Sequence, residues 1–204
     1  MVYNLHLNLW TGISNQEVFK MTNKGFTLIE LAIVLVIIGI LMGAILRGQE
    51  LIRSAKEKKF FSQLQMLGTA QLTYLQREGR YAGDTDKDGF IDDDTTAWDE
   101  LEKQHLILKK EKAKQSVFAG VTFSFSNGYC QHFGGIHDST TLHGNYIQAG
   151  SNLPQWVAQT IDNRIDDGDG NTGYIRWSTS GNPCGQNYTN NANKIGYLYW
   201  FFDL

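Results

Sequence analysis

The side chains best suited to chemistry in this sequence are carboxylates in the segment DTDKDGFIDDDT, residues 84–95. Asp84, Asp86 and Asp88 occupy alternate positions and a glycine follows, as in the first half of a calcium-binding loop. Alternate spacing directs three carboxylates at one centre, and hard oxygen ligands suit Ca²⁺. Thr95 stands where such a loop usually has its closing Glu, so another acid must complete the site. The acids available for this are Asp92, Asp93 and Asp94.

The alternative interpretation of this segment is a solvated acidic turn. Residues 84–102 contain nine acidic residues and one lysine, and such crowding is repulsive when no cation is bound. We therefore predict a bound Ca²⁺ that makes the loop rigid and takes no part in catalysis.

A second acidic cluster occupies the segment DNRIDDGDGN, residues 162–171. Two of its acids lie one turn apart at the predicted end of a helix, where the helix dipole disfavours negative charge. We expect an ion pair with Arg164 or Arg176 to relieve this, and a second Ca²⁺ is the alternative. The acids of the cluster are Asp162, Asp166, Asp167 and Asp169.

The other candidate groups give no enzyme site. No glycine-rich phosphate loop is present, and no serine or cysteine has the partner motif of a nucleophile. A zinc site is disfavoured because the candidate ligands lack a standard spacing; these are His132, His137, Asp138 and His143. We therefore expect a protein that is not an enzyme.

Residues 26–46 are apolar except for one ionisable side chain, that of Glu30. As a helix this segment is about 31 Å long, which matches a bilayer hydrocarbon core of about 30 Å. A secretory signal peptide has a shorter apolar region and a small-residue cleavage site, and neither fits here. A plain membrane anchor leaves Glu30 unexplained, because a carboxylate in lipid costs several kcal/mol unless it is neutralised or paired.

The run KGFTLIELAIVLVIIGIL, residues 24–41, resembles the class III leader and N-terminal helix of type IV pilins and of type II secretion pseudopilins. The resemblance implies that a prepilin peptidase cuts after Gly25 and that Phe26 is then N-methylated. Glu30 is the fifth residue after that cut, where the family keeps a glutamate. In a staggered bundle the Glu30 carboxylate can pair with the Phe26 ammonium of a neighbouring subunit and fix the register. Glu30 is thus interpreted as an assembly residue.

Gly39 and Gly43 have the GxxxG spacing that permits close helix approach, although glycine is also common in membrane helices. Two lysines precede the apolar segment and five basic residues follow it. By the positive-inside rule alone the distal domain would be cytoplasmic. The family resemblance and the cysteine pair predict a periplasmic domain instead.

The sequence contains two cysteines, Cys130 and Cys184, both flanked by loop or turn residues. An even number beyond a membrane-targeting segment predicts one disulfide in an oxidising compartment, and two free buried thiols are the alternative. The leader, residues 1–25, has two interpretations. Either translation starts at Met21, or the long leader is genuine.

The predicted fold is α+β and pilin-like. A helix over residues 26–78 has a membrane-spanning half and an amphipathic half, with apolar residues at three- and four-residue intervals in the second. The amphipathic stem, 47–79, packs on a roughly four-stranded antiparallel sheet of the globular domain, 80–204, which begins with a connecting region, 80–116. Two short helices are predicted, one opened by a capping box from Thr96 to Asp99 and one over 155–164. A hairpin turn is predicted at Asn127-Gly128. Strands are predicted near 121–125, 129–133, 145–149, 173–179 and 195–202.

These features predict a structural subunit, a minor pilin of a type IV pilus, made as an inner-membrane precursor. Its partners would be other pilin subunits, prepilin peptidase and an inner-membrane assembly platform. The alternatives are a type II secretion pseudopilin, a minor pilin for DNA uptake, and a membrane-anchored periplasmic enzyme. Nucleic acid is not expected as a partner, because the distal part is acidic and phosphate binding needs a basic surface. Formal net charge is −3.

Overall fold

The structure is a computed structural model that describes residues 25–130 and 142–202. By its contacts the chain divides into two compact units, the first ending at Leu46 and the second beginning at Arg47. The predicted leader lies outside the described residues except for Gly25, and so does the side chain of Cys130.

The first helix, α1 (Leu28–Glu78), contributes to both units. Its large apolar side chains are exposed throughout residues 28–46. Beyond residue 57 one face is buried, because apolar residues recur there with the helical period. Phe60, Leu64 and Leu67 of this face belong to the hydrophobic core. The predicted long helix is therefore confirmed.

Gly79 ends α1. Its φ is +75°, in the left-handed region that glycine adopts without strain, and its N–H donates to the Leu75 carbonyl at 2.8 Å. This turn reverses the chain into the connecting region, which carries α2 (Asp94–Lys103) and α3 (Lys110–Ala113).

The described strands form an antiparallel four-stranded sheet, and α4 precedes its third strand. The elements are β1 (Phe123–Cys130), β2 (Leu142–Pro154), α4 (Gln155–Ile165), β3 (Ile175–Ser178) and β4 (Ile195–Phe201). The spatial order is β1-β2-β4-β3, and a register shift interrupts the β2–β4 pairing between Ala149 and Leu153. The predicted α+β, pilin-like fold is confirmed.

One face of the sheet packs on the buried face of α1. The ring of Phe60 lies 5.5 Å from that of Phe123, and a Cβ added at Gly68 would lie only 3.0 Å from the Trp200 ring. A glycine at residue 68 thus lets the helix approach β4 closely. The opposite face carries a second cluster built on Tyr146, Tyr199 and Phe201.

The predicted hairpin turn at Asn127-Gly128 is wrong, because both residues lie inside β1, opposite Asn145 and Gly144 of β2. Gly128 does not have the positive φ of a turn glycine. A Cβ there would lie 3.1 Å from the Tyr146 ring and 3.4 Å from Pro183. The glycine therefore makes room for packing.

The predicted capping box at Thr96 is also wrong, because the N-cap of α2 lies three residues earlier. Asp93 is the N-cap, and its side chain accepts from the Thr95 N–H at 2.8 Å. A carboxylate is a strong competitor for this position because it also favours the positive end of the helix dipole.

Candidate functional site

The N-terminal end of α1 holds the predicted processing and assembly residues. Gly25 and Phe26 are exposed and precede the helix. The Thr27 N–H and hydroxyl both donate to Glu30 Oε2, at 2.8 and 2.9 Å, and the Glu30 N–H donates to Thr27 Oγ1 at 3.3 Å. This is a capping box, in which the two residues satisfy each other's polar groups. This local partner of Glu30 was not predicted, although the T-x-x-E spacing is a signal for it.

The apolar part of α1 presents an unpartnered surface. The helix is long and apolar enough to cross a membrane, and none of its most apolar window is buried. Gly39 and Gly43 face open space, since an added Cβ at either would have no atom within 4 Å. The surface around the two glycines is therefore accessible to lipid or to another helix.

The acidic loop after α1 brings four carboxylates together. Asp84, Asp86, Asp88 and Asp92 each offer an oxygen, and these oxygens lie within 4.8 Å of one another. Asp84 is buried, and it accepts from the Lys87 N–H at 2.7 Å and from the Gly89 N–H at 3.1 Å. Such a group of hard oxygens can hold a divalent cation. Ca²⁺ binding itself stays a prediction.

Asp93 and Asp94 do not join these four carboxylates. Asp93 caps α2 and accepts from the Thr96 hydroxyl at 2.7 Å; the hydrogen bonds from Thr96 and Thr95 lower the pKa of its carboxyl. Asp94 Oδ1 accepts from Trp98 Nε1 at 2.8 Å and from the Phe125 N–H at 2.7 Å. Of the three acids considered for closing the loop, the structure therefore brings Asp92 to it.

A buried asparagine that the sequence reasoning missed holds the acidic loop on the sheet. Asn145 of β2 accepts from the Ile91 N–H at 2.7 Å and donates to the Gly89 carbonyl at 2.9 Å. At the other end of the loop the Gly83 N–H donates to Glu100 at 2.9 Å, and Glu100 forms an ion pair with Arg80 at 2.5 Å. Burial alone would raise the pKa of Glu100, but these partners lower it overall. The carboxylates are thus placed by a hydrogen-bonded frame.

The second acidic cluster is not neutralised by arginine, so that prediction is wrong. Arg164 pairs with Glu57 of α1 at 2.7 Å. Arg176 donates to the carbonyls of Asn171, Gly173 and Cys184.

Three acids of the second acidic cluster lie close together. Oxygens of Asp162, Asp166 and Asp167 are within 4.8 Å of one another, whereas Asp169 is not in this group. Asp162 is fully buried and accepts from Tyr188 Oη at 2.8 Å and from the Gly168 N–H at 2.9 Å. Burial is the largest cause that raises its pKa to about 6, and nearby Asp166 and Asp167 raise it further against the two hydrogen bonds. Burial likewise raises the pKa of Asp166. Burial thus disfavours the charged form of both Asp162 and Asp166, and a second Ca²⁺ at this cluster stays a prediction.

The histidines and cysteines have other surroundings. His143 is stacked between the rings of Tyr129 and Phe90, at centroid distances of 3.5 and 3.6 Å. Among the described residues no group of candidate metal ligands includes a histidine; His132, His137 and Asp138 lie outside them. Among the described side chains the Cys184 thiol has no disulfide partner, and it donates to the Tyr129 carbonyl at 3.2 Å. The side chain of Cys130 lies outside the described residues, and the disulfide stays a prediction.

Comparison with known proteins identifies a sequence motif at the start of α1. The chain matches no curated protein and no solved structure. Residues 20–46 match the family model described as the prokaryotic N-terminal methylation motif. This stretch includes the predicted cleavage position, Phe26 and Glu30. The chain therefore carries the class III prepilin leader and methylation motif that characterises the type IV pilin and pseudopilin family.

Proposed function

We propose that this chain is a structural subunit of a type IV pilus, a minor pilin, cut after Gly25 by prepilin peptidase and assembled through the apolar part of α1. The observation that carries the proposal is the methylation motif over residues 20–46. The exposed apolar surface of residues 28–46 supports it, because such a surface requires lipid or neighbouring helices to cover it. The role is structural, with no catalytic step.

The capping box supports a two-stage role for Glu30. Before assembly the Phe26 ammonium of an adjacent subunit is not available, and an unpartnered carboxylate in the bilayer is costly. Thr27 supplies two donors to Glu30 Oε2 within the same chain. The carboxylate can therefore be held locally in the inserted subunit and transferred to the Phe26 ammonium of a neighbour on assembly.

The proposal is tested by the intact mass and N-terminal sequence of the protein from membranes of cells with and without prepilin peptidase. We expect a chain that starts at methylated Phe26 only when the peptidase is present. A chain that keeps residues before Phe26 in peptidase-positive cells would make this protein a simple membrane anchor.

A pair of variants separates the charge of Glu30 from its capping function. Glu30→Gln removes the charge but keeps a side chain that can cap the Thr27 N–H. Thr27→Val removes the hydroxyl and keeps the charge, with Thr27→Ser as its matched control. We expect Glu30→Gln to be inserted and processed but poorly incorporated into filaments, and Thr27→Val to be incorporated. The reverse pattern would assign Glu30 a capping role alone.

Filament type is tested by location. Antibody labelling of shed surface filaments is expected to detect the protein in a smaller amount than the principal subunit of the filament. If deletion leaves surface pili intact and abolishes protein secretion, the chain is a pseudopilin.

We also propose that Ca²⁺ is a structural ligand of the acidic loop, held by Asp84, Asp86, Asp88 and Asp92. The convergence of four carboxylate oxygens supports this. The frame provided by Asn145 and Glu100 supports it as well, because a loop that is already ordered loses less entropy on binding.

A further inference from the structure

Five basic side chains lie in the first 13 residues of α1 after the apolar segment. All five are exposed. We call them the basic collar: Arg47, Arg53, Lys56, Lys58 and Lys59.

In the sequence the collar is interrupted by two acids, Glu50 and Glu57, but the structure removes one of them from the surface. Glu57 is buried and pairs with Arg164 of α4 at 2.7 Å. Glu50 is exposed. The surface of this part of α1 therefore presents five positive charges and one negative charge.

The collar charges are not neutralised by other carboxylates of the described residues, where none of the five forms an ion pair within 4.0 Å. Arg53 lies over the Trp156 ring, 3.8 Å from its centroid. A ring face attracts the guanidinium without cancelling its charge. The collar thus stays cationic while Arg53 is held against α4.

The collar residues are spread around the helix and do not form a stripe. At about 100° per residue, Lys56 lies on the opposite side of α1 from Arg47, and Lys59 lies between them. The collar extends about 18 Å along the helix from Arg47. A bilayer headgroup layer is about 5–8 Å thick on each side, and the Debye length at physiological salt is about 8 Å. The headgroup layer and one Debye length together extend about 13–16 Å beyond Arg47, which covers the collar as far as Lys56. Lys58 and Lys59 start just beyond that distance, and their long side chains can extend back towards the membrane surface.

We propose that the basic collar binds the phosphate headgroups of an anionic bilayer at the surface where the apolar segment of α1 leaves the membrane. The membrane is the partner that the neighbouring sequence supplies, since Arg47 directly follows an apolar segment long enough to span it. The inference rests on insertion of that segment and not on the type of filament. Each basic residue near the membrane adds about a fivefold preference for an anionic over a neutral surface. These contacts hold the inserted subunit at the membrane and must be released when the subunit leaves the bilayer.

The test uses the full chain reconstituted into phosphatidylcholine bilayers that contain a trace of spin-labelled phosphatidylglycerol or spin-labelled phosphatidylcholine. The immobilised fraction of each label reports its association with the protein. We expect phosphatidylglycerol to be preferred about threefold, averaged over all lipids around the helix, with the preference decreasing as salt is added. The variant Arg47→Gln/Lys56→Gln/Lys59→Gln is expected to lose most of it.

The matched control removes the same charge elsewhere in the globular unit. Lys103→Gln/Lys109→Gln/Lys112→Gln changes three exposed lysines outside the collar and is expected to keep the wild-type preference. Equal association of the two lipids with the wild type, or an equal loss in both variants, would overturn the proposal. Processing by prepilin peptidase is measured on the same samples, so that failure of lipid binding and failure of the pilin function are distinguished.

Discussion

Replacing Asp162 by Asn is expected to stabilise the protein at neutral pH and to leave it unchanged in acid. Asp162 is fully buried, and burial is the largest cause that raises its pKa from 3.8 to about 6. Below pH of about 4 the carboxyl is protonated in both the folded and the unfolded chain. Between about 4 and about 6 the folded chain binds more protons than the unfolded chain, so the free energy of unfolding falls as the pH rises. Above about pH 6 the loss of stability caused by the buried charge stays constant.

The size of the penalty follows from the two pKa values. The difference between 3.8 and about 6 corresponds to about 3 kcal/mol of stability at neutral pH. Asn removes the charge, and its Oδ1 accepts from the Gly168 N–H. Its Nδ2 donates to the Tyr188 oxygen, which reverses the direction of the wild-type hydrogen bond. For a chain of this length about 3 kcal/mol corresponds to about 6–12 °C in Tm.

The assay is thermal unfolding of the full chain in detergent, followed by tryptophan fluorescence from acid to neutral pH. A chelator is present throughout, so that no cation compensates the acidic cluster. The control is Glu111→Gln, which removes one exposed carboxylate. A variant that is no more stable than wild type at neutral pH, or that has the same pH slope, would refute the reasoning.

Two further predictions concern the acidic loop and the core. Added Ca²⁺ is expected to raise Tm, and Asp84→Asn is expected to abolish this increase. Asp93→Asn should keep the increase but lose about 1 kcal/mol of stability from the α2 cap. Calorimetric titration with Ca²⁺ measures binding to each variant, and binding that survives Asp84→Asn would contradict the proposed site. Phe60→Ala is expected to cost about 3–5 kcal/mol, because this ring is fully buried against Phe118 and Phe123. Leu72→Ala, at a position 39% exposed, should cost much less in the same denaturation experiment.

The large features of the fold could be predicted because they depend on patterns that are local in the sequence. The helical recurrence of Phe60, Leu64 and Leu67 requires only neighbouring residues to be recognised, and so does the run of aromatic residues in β4. The match of the carboxylates at residues 84–92 to a cation loop is local in the same way. Local reasoning failed at Gly128, because the room needed by the Tyr146 ring is a property of the folded sheet.

The parts of the candidate sites that were missed depend on contacts between distant segments. Arg164 was assigned to the nearby acids, but it pairs with Glu57, which lies 107 positions earlier. Asn145 binds a loop that lies 54 to 56 positions away. Burial raises the pKa of Asp162, and its hydrogen-bond partner Tyr188 lies 26 positions later, in the segment after β3. No spacing in the sequence specifies these meetings.

The predicted disulfide can be tested through the same folding-back segment. Pro183 lies against Gly128, and the Cys184 thiol donates to the Tyr129 carbonyl at 3.2 Å, so the segment carrying Cys184 reaches the end of β1 next to Cys130. A bond between the two cysteines would close a loop of about 54 residues, which corresponds to about 4 kcal/mol of stabilisation by the chain-entropy relation. We expect protein from the periplasm to be about two mass units light and to lose about this stability on reduction. Cys184→Ser should show the lower stability under both conditions. If reduction leaves both the mass and the stability of the wild-type protein unchanged, the cysteines are free thiols.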